Sequence, residues 1–374
     1  MTIAPPFNHD HHFIEKALNL ARQALWCTSP NPRVGCVIVS AGGVELGQGA
    51  TQQAGGAHAE VMALRDAAAR GVDTRGATAY VTLEPCSHHG RTGPCCDALL
   101  NAGISRVVAS IADPNPLVSG RGFDRMRSYG VEVQVGIGAE ASRELNLGFF
   151  SRMVRGTPWV RLKAAASLDG RTALADGQSQ WITSSAARAD GHAWRARACA
   201  ILSGVGTVLS DDPRLDVREM ETPRQPAVVV LDSALRTPPG AKLFNTQRRV
   251  LIYTAVASGM RAAELEARGA ELIQMAGPAG RIDLPSVLAD LGRREINELH
   301  VEAGATLNGT LIAQGLVDEF LFYIAPKLLG SGLGIADLPV LSQLTEAQTL
   351  DLLGFEAIGP DLRLRMMPPG RSDF

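Results

Sequence analysis

Three observations predict two consecutive α/β domains for this chain. Short β-rich runs alternate with helical runs along most of the sequence. A cluster of metal-ligating side chain types is confined to residues 58–95. A fresh strand begins at Trp159, and the alternation then resumes without a second such cluster. A length of 374 residues gives each domain its own core, and the division is set at residues 1–150 and 151–374.

In the first domain, Phe13, Ile14, Ala17, Leu18, Ala21, Ala24 and Leu25 recur at helical spacing, and the helix stops before Ser29-Pro30-Asn31-Pro32. Residues 34–40 and 44–49 read as strands joined by the turn Ala41-Gly42-Gly43. An Ala-rich helix opens at His58 and runs to about residue 70. Residues 77–83 form a strand that delivers Glu84-Pro85-Cys86, and Cys95 starts a helix reaching Asn101. Strands at 106–111 and 131–135 complete a set of about five. Residues 146–158 read as a connection. In the second domain, strands are expected at 159–163, 200–203, 227–231, 250–253, 298–302 and 319–324, with helices between them.

The chemistry concentrates in His58-Ala59-Glu60, Pro85-Cys86 and Pro94-Cys95. One imidazole and two thiolates are ligands that zinc prefers, and three protein ligands leave a fourth tetrahedral position open. Zinc in such a site brings the pKa of a bound water towards roughly 7. Glu60 lies two residues from His58, placed to move protons. This is the H-x-E…P-C…C pattern of zinc deaminases, with an eight-residue loop between the cysteines instead of two residues. A closed structural site is the alternative, with His88, His89 or Cys96 as fourth ligand. Both His58 and Cys95 sit at predicted helix N-termini, whose partial positive charge favours thiolate.

Two neighbouring residues keep two readings each. Asn31, between prolines, either hydrogen-bonds a substrate or satisfies its own turn. Arg91, in the inter-cysteine loop, either grips a phosphate or is a solvated charge. In the second domain, Gly204-Val205-Gly206-Thr207 and the run from Glu302 to Thr310 follow strand ends, where open α/β sheets bind ligands and helix N-termini receive phosphates. Tight packing turns are the alternative for both loops.

The composition, 45% hydrophobic and 20% charged, is that of an ordinary globular protein. A formal charge of −2 with no basic run argues against a nucleic-acid partner. No apolar stretch approaches the roughly 20 residues of a membrane span, and the first ten residues lack a signal-peptide pattern. Six cysteines, two of them assigned to metal, fit a reducing cytoplasm. A homo-oligomer is expected, since α/β domains often offer an apolar sheet edge or helix face.

Longer strings carry a resemblance over nearly the whole chain. They are Pro30-Asn31-Pro32-Arg33-Val34-Gly35, His58-Ala59-Glu60-Val61, Glu84-Pro85-Cys86-Ser87-His88-His89-Gly90-Arg91-Thr92 and Asp113-Pro114-Asn115-Pro116 with Gly120-Arg121-Gly122. In the second half they are Lys163-Ala164-Ala165-Ala166-Ser167-Leu168-Asp169-Gly170-Arg171, Ser179-Gln180-Trp181-Ile182-Thr183, the run from Thr207 to Arg218, and Glu302-Ala303-Gly304. The chain resembles the bifunctional deaminase–reductases of riboflavin biosynthesis. The resemblance implies a cytidine-deaminase-like three-layer α/β/α domain followed by a dihydrofolate-reductase-like α/β domain. It implies zinc on His58, Cys86 and Cys95, with Glu60 as proton shuttle, acting on 2,5-diamino-6-(5-phosphoribosylamino)pyrimidin-4(3H)-one. NADPH then reduces the ribosyl side chain to ribityl. The cofactor would meet Ala165, Trp181, Thr207, Asp211, Ser233 and the loop Gly304, Ala305, Thr306, Leu307, Asn308, Gly309, Thr310. The substrates would meet Asn31, Arg91, Lys163, Ser179, Arg195, Leu215, Arg218 and Glu302. Thr51 stands where the family usually carries a His, Gly93 replaces a proline, and Cys199 sits where an Asp is common. The rival reading is a zinc deaminase of another base, nucleoside or tRNA with a non-catalytic C-terminal half.

Overall fold

The computed structural model describes residues 9–87, 93–116, 118–256, 259–277 and 280–374. The chain divides into two compact units, the first comprising the residues up to Arg155 together with Phe374 and the second running from Gly156 to Asp373.

The first unit is built in the order α1 (His9–Gln23), β1 (Gly35–Val39), β2 (Glu45–Ala50), α2 (Ala59–Ala69), β3 (Thr78–Val81), α3 (Cys95–Asn101), β4 (Arg106–Ala109), α4 (Arg121–Ser128), β5 (Glu132–Val135) and α5 (Ala139–Arg155). Its sheet has the order β2-β1-β3-β4-β5. The pairs β2/β1 and β1/β3 are antiparallel, whereas β3, β4 and β5 run parallel. Side chains alternate across a strand, so β1 sends Cys36 and Ile38 to one face and Val37 and Val39 to the other. The first pair packs with Ala63 of α2, Leu99 of α3 and Met126 of α4. The second pair packs with Phe13, Ala17 and Leu18 of α1 and Leu145 of α5. The result is the three-layer α/β/α arrangement. Two glycines of β2 bring α2 close: a Cβ on Gly47 would lie 2.3 Å from the Ala63 carbonyl oxygen, and one on Gly49 2.5 Å from Met62 Cβ. That approach fixes where the first turn of α2 sits.

Residues 146–155 are helical rather than a connection, because α5 continues to Arg155. Asn146 is the reason the pattern is hard to read. It breaks helical geometry (φ −121°, ψ 16°), and its buried amide accepts from the Arg33 N–H at 2.8 Å and donates to the Arg33 carbonyl at 3.0 Å. A tertiary contact 113 residues away replaces the local helical signal.

The second unit runs β6 (Trp159–Ser167), β7 (Arg171–Leu174), α6 (Ser185–Arg197), β8 (Ala200–Gly204), α7 (Val205–Asp211), β9 (Ala227–Leu231), β10 (Val250–Thr254), α8 (Met260–Ala267), β11 (Ala270–Gln274), α9 (Leu284–Arg293), β12 (Glu298–Val301), α10 (Ala305–Ala313), β13 (Glu319–Ala325), β14 (Gly332–Gly334), β15 (Asp351–Ile358) and β16 (Asp361–Met367). Nine strands form one sheet in the order β11-β10-β9-β8-β12-β6-β13-β16-β15. The first seven in that order are mutually parallel, and the β15–β16 hairpin adds antiparallel at the β13 edge. The hairpin escapes a periodicity reading because β15 is exposed along most of its length and so carries no alternation of apolar and polar residues. Under the sheet's centre, Arg161 is fully buried between Glu298 (2.9 Å) and Glu319 (2.8 Å). Among the described residues no helix is long and apolar enough to cross a membrane.

Candidate functional site

His58 is the N-cap of α2 and makes no capping bond with its side chain. Cys86 lies just beyond β3, and Cys95 is the first residue of α3. His58 Nδ1 is 3.6 Å from Cys86 Sγ and 3.3 Å from Cys95 Sγ. The three ligand atoms all lie within 4.8 Å of one another. A tetrahedron with zinc–nitrogen and zinc–sulfur bonds has edges of about 3.3–3.8 Å, which both nitrogen–sulfur separations match. The Cys95 N–H donates to Cys86 Sγ at 3.3 Å, one of the helix N-terminal donors that favours a thiolate. The Cys95 thiol and the His58 imidazole lower the pKa of Cys86, while that thiolate and burial raise Cys95.

Among the described residues no fourth ligand joins these three. Cys96 is buried and turned away, donating to the carbonyls of Pro85 (3.0 Å) and Gly122 (3.6 Å). Glu60 is buried in the first turn of α2. Burial and then the Cys86 thiolate push its carboxyl up to about 7, where it can both accept and return a proton.

His58, Glu60 and Cys86 border a cavity of about 190 Å³, several times a water's share of roughly 30 Å³, so it admits an organic ring. Asn31 lines it. The Asn31 backbone N–H closes the turn onto the Thr28 carbonyl at 2.9 Å, so the turn does not need the side-chain amide. Thr51 also borders the cavity, with its hydroxyl donating to the Val34 carbonyl at 3.5 Å. Arg91 lies outside the described residues.

Several lining residues escape the sequence reading. Phe149 and Met153 come from the part of α5 read as a connection, and Asp113, Asn115 and Val118 from the loop after β4. The paired strings Asp113-Pro114-Asn115-Pro116 and Gly120-Arg121-Gly122 are the signal that could find that loop. Glu84 holds it. Its buried carboxylate accepts from the backbone N–H groups of Asp113 (3.0 Å), Gly120 (2.9 Å) and Gly122 (2.8 Å).

In the second unit, the C-terminal ends of parallel strands gather another set. The loops after β8 and β12 are neighbours: a Cβ on Gly304 would stand 4.0 Å from Thr207 Oγ1, and one on Gly204 3.4 Å from Leu307 Cδ2. The missing side chains leave room for a phosphate chain to approach the backbone. Of the loop expected to hold cofactor, Asn308 and Gly309 turn inward instead. Asn308 donates to the carbonyls of Ala303 and Ile335 at 3.2 and 2.9 Å, and a Cβ on Gly309 would strike the Asp337 carbonyl oxygen at 2.0 Å. They are helix interior, packed for closeness to residues 335–337. Thr306 bonds Asp337, and Thr310 bonds back to the Thr306 carbonyl. Asp211 is exposed at the end of α7. Trp181 is exposed, with the Arg188 guanidinium 4.4 Å from its ring centre.

Arg195 and Glu302 form a two-pronged pair at 2.5 and 2.7 Å, and Arg195 also donates to the Asp216 carbonyl at 3.0 Å. Burial raises the Glu302 carboxyl, but the charge and fork of Arg195 outweigh it and hold it well below the usual range. Lys163 sits on the same half-buried face of β6 as Ala165; burial lowers its pKa, against the attraction of Glu302. Arg218 pairs with Asp216 at 2.9 Å. Leu215 is buried in left-handed conformation (φ 51°), which sets the path of this loop. Ser179 is partly exposed in the segment after β7.

Comparison with known proteins agrees with both halves. Residues 7–111 match the cytidine and deoxycytidylate deaminase zinc-binding region, and residues 158–364 match the RibD C-terminal domain. The chain is 45% identical to the riboflavin biosynthesis protein RibD of Escherichia coli, over 96% of this chain and 99% of that protein. It is 41% identical to RibD of Aquifex aeolicus, over 94% and 97%. The solved structure of Acinetobacter baumannii RibD superposes with a TM-score of 0.88 at 39% identity, covering 96% of this chain and 99% of that one. A Thermotoga maritima structure, titled a diaminohydroxyphosphoribosylaminopyrimidine deaminase/5-amino-6-(5-phosphoribosylamino)uracil reductase, gives 0.86 at 32%, with coverage of 96% and 99%.

Fold and site therefore define a zinc-dependent deaminase joined to an NADPH-dependent reductase in one chain. The chain belongs to the RibD family, the bifunctional enzymes of riboflavin biosynthesis. A deaminase with a non-catalytic second half is set aside by the match over residues 158–364.

Proposed function

We propose that residues 1–150 deaminate 2,5-diamino-6-(5-phosphoribosylamino)pyrimidin-4(3H)-one, and that residues 151–374 then reduce the ribosyl side chain of the product to ribityl. The observation that carries the first step is Glu60, buried beside three zinc-type ligand atoms at the wall of a ring-sized cavity. When bound, zinc supplies the Lewis acidity that makes water nucleophilic near neutral pH, and NADPH supplies the reducing equivalent. His58, Cys86 and Cys95 hold the metal. Glu60 takes the proton released when water adds and delivers it to the departing ammonia. Asn31 orients the pyrimidine, and Arg91 is assigned to the phosphate.

In the reductase, Lys163, Ser179, Arg195, Leu215, Arg218 and Glu302 place the phosphoribosyl group. Ala165, Trp181, Thr207, Asp211, Ser233 and residues 304–310 form the cofactor's surroundings, with Asn308 and Gly309 acting from behind as packing. The charges of Arg195 and Glu302 are already matched to each other, so this half works by placement rather than by a titrating acid. Free cysteines throughout support a cytoplasmic setting, and a second copy of the chain is the proposed partner at the outer edge strand β15.

The test is NADPH oxidation by the purified chain with the diaminopyrimidinone substrate, before and after zinc chelation. Oxidation should stop on chelation and return when deaminated product is added. Oxidation that persists without zinc would overturn the proposed order. Ammonia release without any oxidation, even with added product, would overturn the assignment of the second step.

A further inference from the structure

The loop that carries Asn31 has few ways to be held. Pro30 and Pro32 offer no backbone N–H, so residues 30–33 contain two such donors, those of Asn31 and Arg33. The first is spent inside the loop, on the Thr28 carbonyl at 2.9 Å. The second goes to a distant partner. Arg33 is buried, and one amide takes both of its backbone groups: Asn146 Oδ1 accepts the N–H at 2.8 Å, and Nδ2 donates to the carbonyl at 3.0 Å. That is the pairing a neighbouring strand would give, supplied by a single buried side chain before β1 begins at Gly35. The Arg33 guanidinium returns the contact, donating to the Leu145 carbonyl at 2.7 Å.

A second tether lies on the other side of Asn31. Arg152 Nη2 donates to the Pro30 carbonyl at 3.3 Å. Asn31 therefore stands between two anchors, and both come from α5. Phe149 lies between those anchors along the helix and Met153 follows the second, and both line the cavity with Asn31. Asparagine is a poor residue for a helix interior because its side chain competes for backbone groups. Here it departs from helical geometry while its Nδ2 also donates to the Ser142 carbonyl at 3.2 Å. The break in α5 and the clasp on Arg33 are thus the work of one residue. A side-chain amide that must meet a planar base has to be held to within about 0.5 Å and 10–20°, and a loop with two prolines does not hold itself.

We infer that Asn146 is a positioning residue of the deaminase: its amide fixes the Asn31 loop against α5 and so sets the place from which Asn31 meets the pyrimidine. The inference rests on the reading that Asn31 contacts that ring.

The experiment follows ammonia release from the diaminopyrimidinone substrate by the zinc-loaded full chain, for the parent, N146A, N31A and the double variant. Zinc content, and NADPH oxidation with added deaminated product, check the fold of each preparation. N146A should retain zinc and raise KM roughly 10-fold, the worth of one or two neutral hydrogen bonds, while kcat falls by about 3-fold or less. In the N31A background the same change should alter KM by less than about 2-fold, because nothing is left to position. Should N146A not fold, N146S, whose hydroxyl can keep one of the two bonds, takes its place in the same cycle. An unchanged KM on replacing Asn146, or a rise of equal size with and without Asn31, would overturn the positioning role. N31A with the parental KM would remove the reading of Asn31 itself, and the inference with it.

Discussion

Glu84 Oε1 accepts the backbone N–H of Gly122 at 2.8 Å, 38 residues along the chain, and through this contact the metal ligands and the cavity wall become one unit. Glu84 is two residues before Cys86 and also holds the N–H groups of Asp113 and Gly120. Gly122 has no room for a side chain, because a Cβ there would lie 2.2 Å from the Pro85 carbonyl oxygen and 3.2 Å from Cys96 Sγ.

Replacing that carboxylate by an amide, Glu84→Gln, turns an NH2 donor towards backbone N–H donors and should release the loop that carries Asp113, Asn115 and Val118. Deaminase kcat/KM should fall roughly 10- to 100-fold, by the size of a charged hydrogen bond, with KM rising more than kcat falls. Bound zinc, measured by metal analysis, should be retained. Equal loss of zinc and activity would mean that Glu84 serves the ligands rather than the loop. Gly122→Ala should do the opposite, displacing Pro85 and with it Cys86, at a cost of about 1–3 kcal/mol and with loss of zinc.

His192 predicts how the second unit responds to acid. Burial, then Arg195 and Arg218, push its pKa down to about 4, and its Nδ1 accepts the Arg218 backbone N–H at 3.4 Å, which suits a neutral ring. The unfolded imidazole takes its proton near 6.5. The stability this neutral ring brings is therefore complete above pH 6.5 and is lost as pH falls towards 4, on the order of 2 kcal/mol. Urea unfolding of the parent and H192Q at pH 7.5 and 4.5 checks it. The parent should lose more than the variant between the two values, and equal losses would count against the shift.

The outer strand β15 predicts assembly. It ends the nine-stranded sheet and exposes Leu352, Leu353 and Phe355, and Val340 and Leu344 in the preceding loop are almost fully exposed. An unpaired edge with apolar side chains is normally covered, and a second copy of the same edge would do so by antiparallel pairing. Sedimentation should show a dimer, and Phe355→Glu with Leu352→Glu should give monomers. A parent that sediments as a monomer at micromolar concentration would rule the assembly out.

Much of the first site is legible without coordinates because its chemistry is local. His58 and Glu60 share one helical turn, and Cys86 and Cys95 mark the end of a strand and the start of a helix. Such junctions are announced by proline, periodicity and residue type. The cavity's far wall is not legible in that way. Phe149 and Met153 follow Asn146, whose side chain serves Arg33 across the fold and whose backbone departs from the helix there. Asn308 and Gly309 show the converse, since residues in a glycine-bearing run after a strand lie buried inside the helix α10, which residue type and spacing do not reveal.

Residue types and their spacing by themselves determined that the chain has two α/β domains, that one carries a zinc deaminase's ligands and proton carrier, and that its strings are those of the riboflavin deaminase–reductases. Donor chemistry and amphipathic period are written into short windows, so they survive without a fold. Only the tertiary structure decided which side chains stand opposite each other: Glu84 with Gly122, Arg195 with Glu302 across 107 residues, and Asn146 with Arg33 across 113. Those choices depend on sheet order and on burial, which makes an unpaired polar or charged group costly inside.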